Sequence, residues 1–334
     1  MRRFFKFIFL LLVIAAALLG YALLVPAPIS GSQTVLLRSG WSARRIAAEL
    51  KNAGIIRSSN AFLLLHTVRM KPLKAGEYLF DHPQNELEVY DRLARGDIFF
   101  HTVVIPEGFT MFDVASAVES AGLGSSAEFL SAARDATLVR DLDPAAQSLE
   151  GYLFPDTYRF TRTQSMHDIA ATMVRRFRQE AHAIGLINVT ASSSADPDVH
   201  RAVTMASIVE KETAVPEERA TVAAVYYNRL LRRIPLQADP SVIYAAQLAG
   251  RYDGTIHVSD LQRESPYNTY RVPGLPPGPI ANPGRASLEA ALHPANSDFL
   301  FFVSDAQGHH RFARTIAEHE RNVAAYRHAT NGNH

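Results

Sequence analysis

From Phe7 to Val25 (FIFLLLVIAAALLGYALLV) the chain is apolar and uncharged, long enough to cross a hydrocarbon core as one helix. Pro26 to Ser32 (PAPISGS) ends that run as a short linker. The apolar positions then recur in a pattern that is used twice. Val35-Leu-Leu-Arg-Ser-Gly40-Trp-Ser-Ala-Arg-Arg-Ile-Ala47 continues to Ala53-Gly54, and Val103-Val-Ile-Pro-Glu-Gly108-Phe-Thr-Met-Phe-Asp-Val-Ala115 continues to Ala121-Gly122. Each copy predicts a short strand, a glycine turn and an aromatic residue. A helix follows, capped by Ser42 or Thr110 and closed at a glycine. Between the copies the spacing predicts a helix over Asn60–Met70, a strand over Ala75–Phe80 and a helix over Leu87–Arg95 ended by Gly96.

After Leu153 helical periodicity dominates: Met166–Ile184, His200–Thr213, Glu217–Leu231, Ser241–Ala246 and Ser287–Leu292. Long connections rich in Pro and Gly separate these stretches, above all Ser265–Gly284 (SPYNTYRVPGLPPGPIANPG). Loops this long in a packed domain commonly line a site. Phe299–Val303 predicts a strand that pairs with Arg311–Ala313 across a turn at Gln307-Gly308. The expected class is therefore α+β. Its parts are a transmembrane helix (residues 7–25), a small α+β module (33–100), a second strand-helix module with its connection (101–160) and a mainly helical α+β domain with long loops (161–328). The strand-helix-helix-strand order of the small module resembles a LysM domain, a fold that grips amino-sugar polymers; a generic small α+β module has the same order.

Composition narrows the chemistry. The 334 residues hold 34 Lys+Arg against 33 Asp+Glu, so no positive field draws the chain to nucleic acid. The absence of cysteine excludes thiol catalysis, thiolate metal sites and disulfides. Arg2, Arg3 and Lys6 precede the apolar stretch, and no basic cluster follows it. Residues 1–6 are then expected in the cytoplasm and everything after Val25 across the membrane. A cleaved signal peptide would carry a shorter apolar core and a small-x-small cleavage site, which Val25-Pro26-Ala27-Pro28 does not offer. Among 13 histidines, His309, His310 and His319 fall late in the chain. No HExxH, Walker loop, GxGxxG or GxSxG occurs, so neither a metal nor a cofactor is expected.

The helix His200–Thr213 holds the most informative polar residue. At about 100° per residue, Met205, Ile208 and Val209 share a face with Glu212, while Ser207, Glu210 and Lys211 fall opposite. Glu210 reads as a solvated surface charge open to pairing with a neighbour. Glu212 sits in the apolar stripe near the negative end of the helix, where burial and the dipole both favour its protonated form. A carboxylic acid held protonated near neutral pH suits general-acid cleavage of a glycosidic bond. An ordinary salt bridge from Glu212 to Arg219 or Arg229 is the competing reading. Gln237 and Asp239 open the run Ser241–Ala246, with Asp239 a candidate helix cap. Tyr267, Asn268 and Tyr270 place two rings and an amide in the long loop, as sugar stacking and hydrogen bonding would use them, or as packing would. Glu150–Tyr158 (EGYLFPDTY) is a second aromatic, turn-rich segment.

Five segments in order resemble the YceG-like (MltG) endolytic murein transglycosylases. They are Glu150–Tyr158, Met205–Thr213 (MASIVEKET), Leu236–Tyr244 (LQADPSVIY), Ser265–Tyr270 running into Gly274–Gly284, and Ala291–Ala295 with Phe299–Val303. The resemblance implies a bitopic inner-membrane protein with a periplasmic catalytic domain. It implies cleavage of the β-1,4 bond between N-acetylmuramic acid and N-acetylglucosamine inside nascent strands, leaving 1,6-anhydro ends and limiting strand length. Peptidoglycan strands are the implied partner, with wall synthases as further candidates. The family's catalytic glutamate, the one before Thr in Glu-Lys-Glu-Thr, falls on Glu212. Departures are Ala238, where a hydroxyl residue is common, and Glu320, where Asn is common. A non-catalytic, membrane-anchored glycan-binding or scaffold protein is the rival from another class, and a lysozyme-like hydrolase a third.

Overall fold

Helix α1 (Arg2–Leu24) takes up the apolar N-terminal stretch in a computed structural model that describes residues 2–187, 198–305 and 307–331. The chain divides into two units, Met1–Thr102 with Arg159–Ser165 and Val103–Tyr158 with Met166–His334. In the first unit, strand β1 (Gln33–Leu37) is followed by α2 (Ala43–Asn52), α3 (Ser59–Arg69), β2 (Gly76–Phe80) and α4 (Glu86–Arg95). β1 and β2 pair antiparallel with Val35 opposite Tyr78. Their alternate residues Val35, Leu37, Tyr78 and Phe80 turn inward, as the two-residue period of a strand requires. They meet Ile46, Ala47 and Leu50 from α2, Phe62 and Leu65 from α3, and Val89, Tyr90 and Leu93 from α4. Ser42 caps α2 as predicted, and Gly96 ends α4 in the left-handed region at φ 79°.

Strand β3 (His101–Val104) pairs with β4 (Thr157–Phe160). Between them run α5 (Met111–Ser120), whose cap Thr110 forms a reciprocal box with Asp113, and α6 (Ser126–Ala133). The second unit continues with α7 (Met166–Ala183), α8 (Val199–Glu212), α9 (Arg219–Leu231), α10 (Asp239–Leu248), the single turn α11 (Val258–Gln262) and α12 (Arg285–Leu292). A hairpin of β5 (Phe301–Ser304) and β6 (His310–Ala313) precedes α13 (Ile316–Asn331). The sequence places the first of these strands at Phe299–Val303; it begins two residues later. The carbonyls of Phe299 and Leu300 are taken instead by the Asn228 amide (3.0 Å) and Arg229 Nε (2.7 Å) from α9.

Helix α8 is the centre of this unit. It packs against α9, α10 and α12, and every residue from Ala202 to Val209 is buried. A helix enclosed on all sides must satisfy its polar side chains internally. Ser207 does so by donating to the Thr204 carbonyl (2.7 Å) and accepting from the Ile280 amide (3.0 Å).

Candidate active site

Glu212 is the last residue of α8, and its carboxyl faces a cavity of about 330 Å³. Oε1 accepts a hydrogen bond from the Tyr226 hydroxyl at 2.7 Å. Tyr226 and Arg229 stand three residues apart on α9, so they present neighbouring side chains to the same space. The buried Arg229 guanidinium donates through Nε to the Leu300 carbonyl and through a terminal nitrogen to the Leu236 carbonyl (2.7 Å each), and lies 5.2 Å over the Phe301 ring. Its charge is held by carbonyl dipoles. Around the rim stand Gln237, Asp239 and Tyr270, with Phe302 from β5 and His319 from α13.

Burial pushes the Glu212 carboxyl up to about 7. The Tyr226 hydrogen bond and the Arg229 charge oppose that rise, and Asp239 adds to it. A group poised there changes protonation in the range where a general acid or base works best. His319, whose ring stacks on Phe301, is pushed below its ordinary value by burial and by Arg229. Both effects favour the neutral form of the imidazole at the cavity wall.

Neither arginine weighed as a salt-bridge partner ion-pairs with Glu212. Arg219 lies by Glu210 (3.4 Å) and Glu107 (3.6 Å), and Arg229 is occupied by carbonyls. Glu210 does pair with a neighbour, Arg219, but it is not the solvated charge expected: its side chain is only 6% exposed, and its second oxygen accepts from the Gly284 amide at 3.0 Å. The wheel failed there because α8 has no solvated face along its middle. Asp239 is not the cap of α10. Ala238 holds that position, and the Thr269 and Ser241 hydroxyls serve the Ala238 amide and carbonyl in place of a cap side chain. Asp239 is thereby left to accept from the Tyr270 hydroxyl at 2.5 Å. Gln237 adopts a left-handed backbone, φ 54°, a conformation that costs about 1 kcal/mol or more for a residue with a side chain.

The cavity thus gathers Glu212, Gln237, Asp239 and Tyr270 of the residues singled out in the sequence. Asn268 and Tyr267 are not part of its wall. The Asn268 amide donates to the carbonyls of Asp260, Leu261 and Arg263 and its oxygen accepts from the Tyr270 amide, so it shapes the loop that carries Tyr270. Tyr267 packs edge-on against Tyr244 with ring centres 5.2 Å apart. Tyr226 and His319 were missed as site residues, because which faces of α9 and α13 turn toward the cavity is decided by tertiary packing.

The Glu150 segment forms a separate buried knot. The Glu150 carboxyl accepts from the Met111 amide at the start of α5 and from the Asn282 amide (3.0 Å), and burial pushes it up to about 8. Asn282 Oδ1 in turn accepts from the Gly151 and Leu153 amides, at 2.9 Å each. At Gly151, φ is +88° and a Cβ would lie 2.5 Å from Pro279, so only glycine fits without movement. Among the described residues, no group of three or more His, Cys, Asp or Glu is arranged to hold a metal ion.

Comparison with known proteins agrees along nearly the whole chain. A family model described as YceG-like matches residues 35–325. A protein of Bacillus subtilis (strain 168) named endolytic murein transglycosylase is 32% identical over 95% of this chain and 91% of its own length. One of the same name from Streptococcus pneumoniae (strain ATCC BAA-255 / R6) is 29% identical; it matches over 96% of this chain but only 64% of its own length. A crystal structure of a yceG-like protein from Listeria monocytogenes aligns over 87% of this chain and 99% of its own, with 31% identity and a TM-score of 0.56.

Proposed function

The chain belongs to the YceG-like family, and from that premise we propose that it is an endolytic murein transglycosylase whose acid and base are one residue, Glu212. The observation that carries the assignment is a carboxyl raised to about 7 inside a cavity and hydrogen-bonded by Tyr226. Glu212 starts protonated and gives its proton to the glycosidic oxygen as the C1–O bond breaks. The carboxylate left behind takes the proton of the muramoyl C6 hydroxyl, whose oxygen closes on C1 to form the 1,6-anhydro ring. Atoms and charge balance with no water consumed, and the residue ends protonated for the next turn.

The nucleophile belongs to the sugar, so the reaction needs no second carboxylate at hydrolase spacing. Arg229 and the Tyr226 hydroxyl stabilise the carboxylate while it exists. Gln237, Asp239 and Tyr270 are assigned to sugar binding at the rim. Tyr267 and Asn268 are retained in that role only indirectly, through the loop that presents Tyr270.

The first unit is assigned as a LysM-like glycan-gripping module. α1 is assigned as an inner-membrane anchor with the N-terminus in the cytoplasm and the catalytic unit in the periplasm. Support comes from its hydropathy and length, and from Arg2, Arg3 and Lys6 at its start.

Mass spectrometry of glycan strands digested by the full-length chain, beside Glu212→Gln, tests this reading. Anhydro-ended internal fragments from the wild type alone are expected. Reducing ends would make the protein a hydrolase. Binding without cleavage by either form would make it a scaffold.

A further inference from the structure

The first unit carries an exposed apolar face that the proposed reaction does not use. On α3, Ala61, Phe62 and Leu65 point into the core, while Leu64 and Val68 are 48% and 75% exposed and Met70, just past the helix end, is 80% exposed. Leu64 and Val68 are one turn apart and so share a side. Single exposed apolar residues are ordinary on any surface; three along one short element are a patch with a direction. The helix contains no acidic residue, and Arg69 and Lys71 flank Met70.

The position of this face relative to α1 supplies the occupant. α3 and α4 lie alongside α1. Leu23 at the end of α1 and Ile29 beyond it pack against the core of the unit, and Ala27 is buried. Arg57 locks the junction, donating from Nε to the Val25 carbonyl (3.0 Å) and from a terminal nitrogen to the Pro26 carbonyl (2.8 Å), with its guanidinium 5.0 Å over the Tyr21 ring. A helix of 23 residues is roughly 35 Å long, against about 30 Å of hydrocarbon. An element held beside its last turns therefore lies at the depth where acyl chains meet headgroups.

We propose that Leu64, Val68 and Met70 are immersed in the interfacial layer of the bilayer that α1 spans, with Lys71 among the lipid phosphates, so that α3 is a second, monotopic membrane contact. Apolar residues gain by leaving water at that boundary, and a basic residue beside them adds attraction to anionic lipid. The inference rests on the reading of α1 as a membrane span.

The chain has no cysteine, so a spin label can be placed at any position of the full-length protein by one substitution. Val68→Cys is compared with Phe9→Cys inside α1 and Ser39→Cys on the exposed β1–α2 turn. All three are reconstituted in vesicles of phosphatidylethanolamine with phosphatidylglycerol. Collisions with a water-soluble nickel chelate are expected to fall about ten-fold at Val68→Cys relative to Ser39→Cys, while collisions with oxygen rise, as for a side chain in the interfacial layer. Nickel access equal to Ser39→Cys overturns the proposal. Spin–spin broadening with loss of access to both quenchers also overturns it, since a second copy would then cover the face. Failure of the span reading is separate: Phe9→Cys would itself be open to nickel, or the protein would not float with the vesicles.

Discussion

Glu212 keeps its proton at a higher pH in the folded chain than in the unfolded one, about 7 against an ordinary 4.5. The native state therefore binds that proton more tightly, and stability attributable to it is present below pH 4.5 and lost as pH rises to about 7 and beyond. Glu212→Gln, which cannot ionise, should match the wild type near pH 4.5. Above pH 7 it should be more stable by about 1–2 kcal/mol, a modest figure because the cavity admits water. Thermal melts across that range read the difference as a Tm that diverges by about 2–8 °C. Tyr226→Phe keeps the ring that packs on Phe302 and removes the hydrogen bond that lowers the acid's pKa. The alkaline limb of the rate profile should move up by about 0.5–1 pH unit, and an unmoved limb would separate Tyr226 from the acid. At this scale sequence was informative wherever one helix face could be judged by its own neighbours, as for Glu212 among Met205, Ile208 and Val209. It misled at Glu210, because the partners that enclose that residue, Arg219 and the Gly284 amide, come from segments a wheel does not contain.

Elements join where Asn282 sits. Its one amide serves the Phe109 carbonyl and Glu150, and its oxygen takes the Gly151 and Leu153 amides. The tail of the long loop, the turn before α5 and the Glu150 segment are thus one hydrogen-bonded body. Asn282→Ala leaves several buried groups unpaired at once and should cost about 3–5 kcal/mol. Differential scanning calorimetry should show a Tm lower by about 6–20 °C. Asn282→Asp should not rescue it, because a carboxylate would face the buried Glu150. The five helices predicted after Leu153 were legible in their periodicity, with bounds within two residues of the observed ones. What the loop Ser265–Gly284 grips was not. A Pro-rich segment specifies its own stiffness locally, whereas its partners Glu150 and Phe109 lie more than a hundred residues away in sequence.

At the scale of the whole chain, the second unit begins well before the helical texture that marks it. Residues 103–158 belong with 166 onward, and Met111, Gly151 and Leu153 hold the loop that ends at Gly284 through Glu150 and Asn282. A chain begun at Arg162 should therefore fail to fold cooperatively, while one begun at His101 should fold and release anhydro ends. Circular dichroism with product analysis of both reads the outcome. Activity in the shorter chain would show the knot to be dispensable. The change of texture at Leu153 is real, but it records where helices longer than those of residues 43–133 begin, α7 and α8 first. The contacts that make a cooperative unit cross it.

The Arg57 clamp has a mechanical consequence. Pro26–Ser32 as a free tether of seven residues would let its cargo wander by about 15 Å. With Val25 and Pro26 held by Arg57 and Ala27 buried, most of that slack is gone. On the proposed reading of α1 as an anchor, the small unit then rides at one altitude above the bilayer. The height of that unit over α1 becomes a dimension of folded protein, a gauge block in place of a length of string.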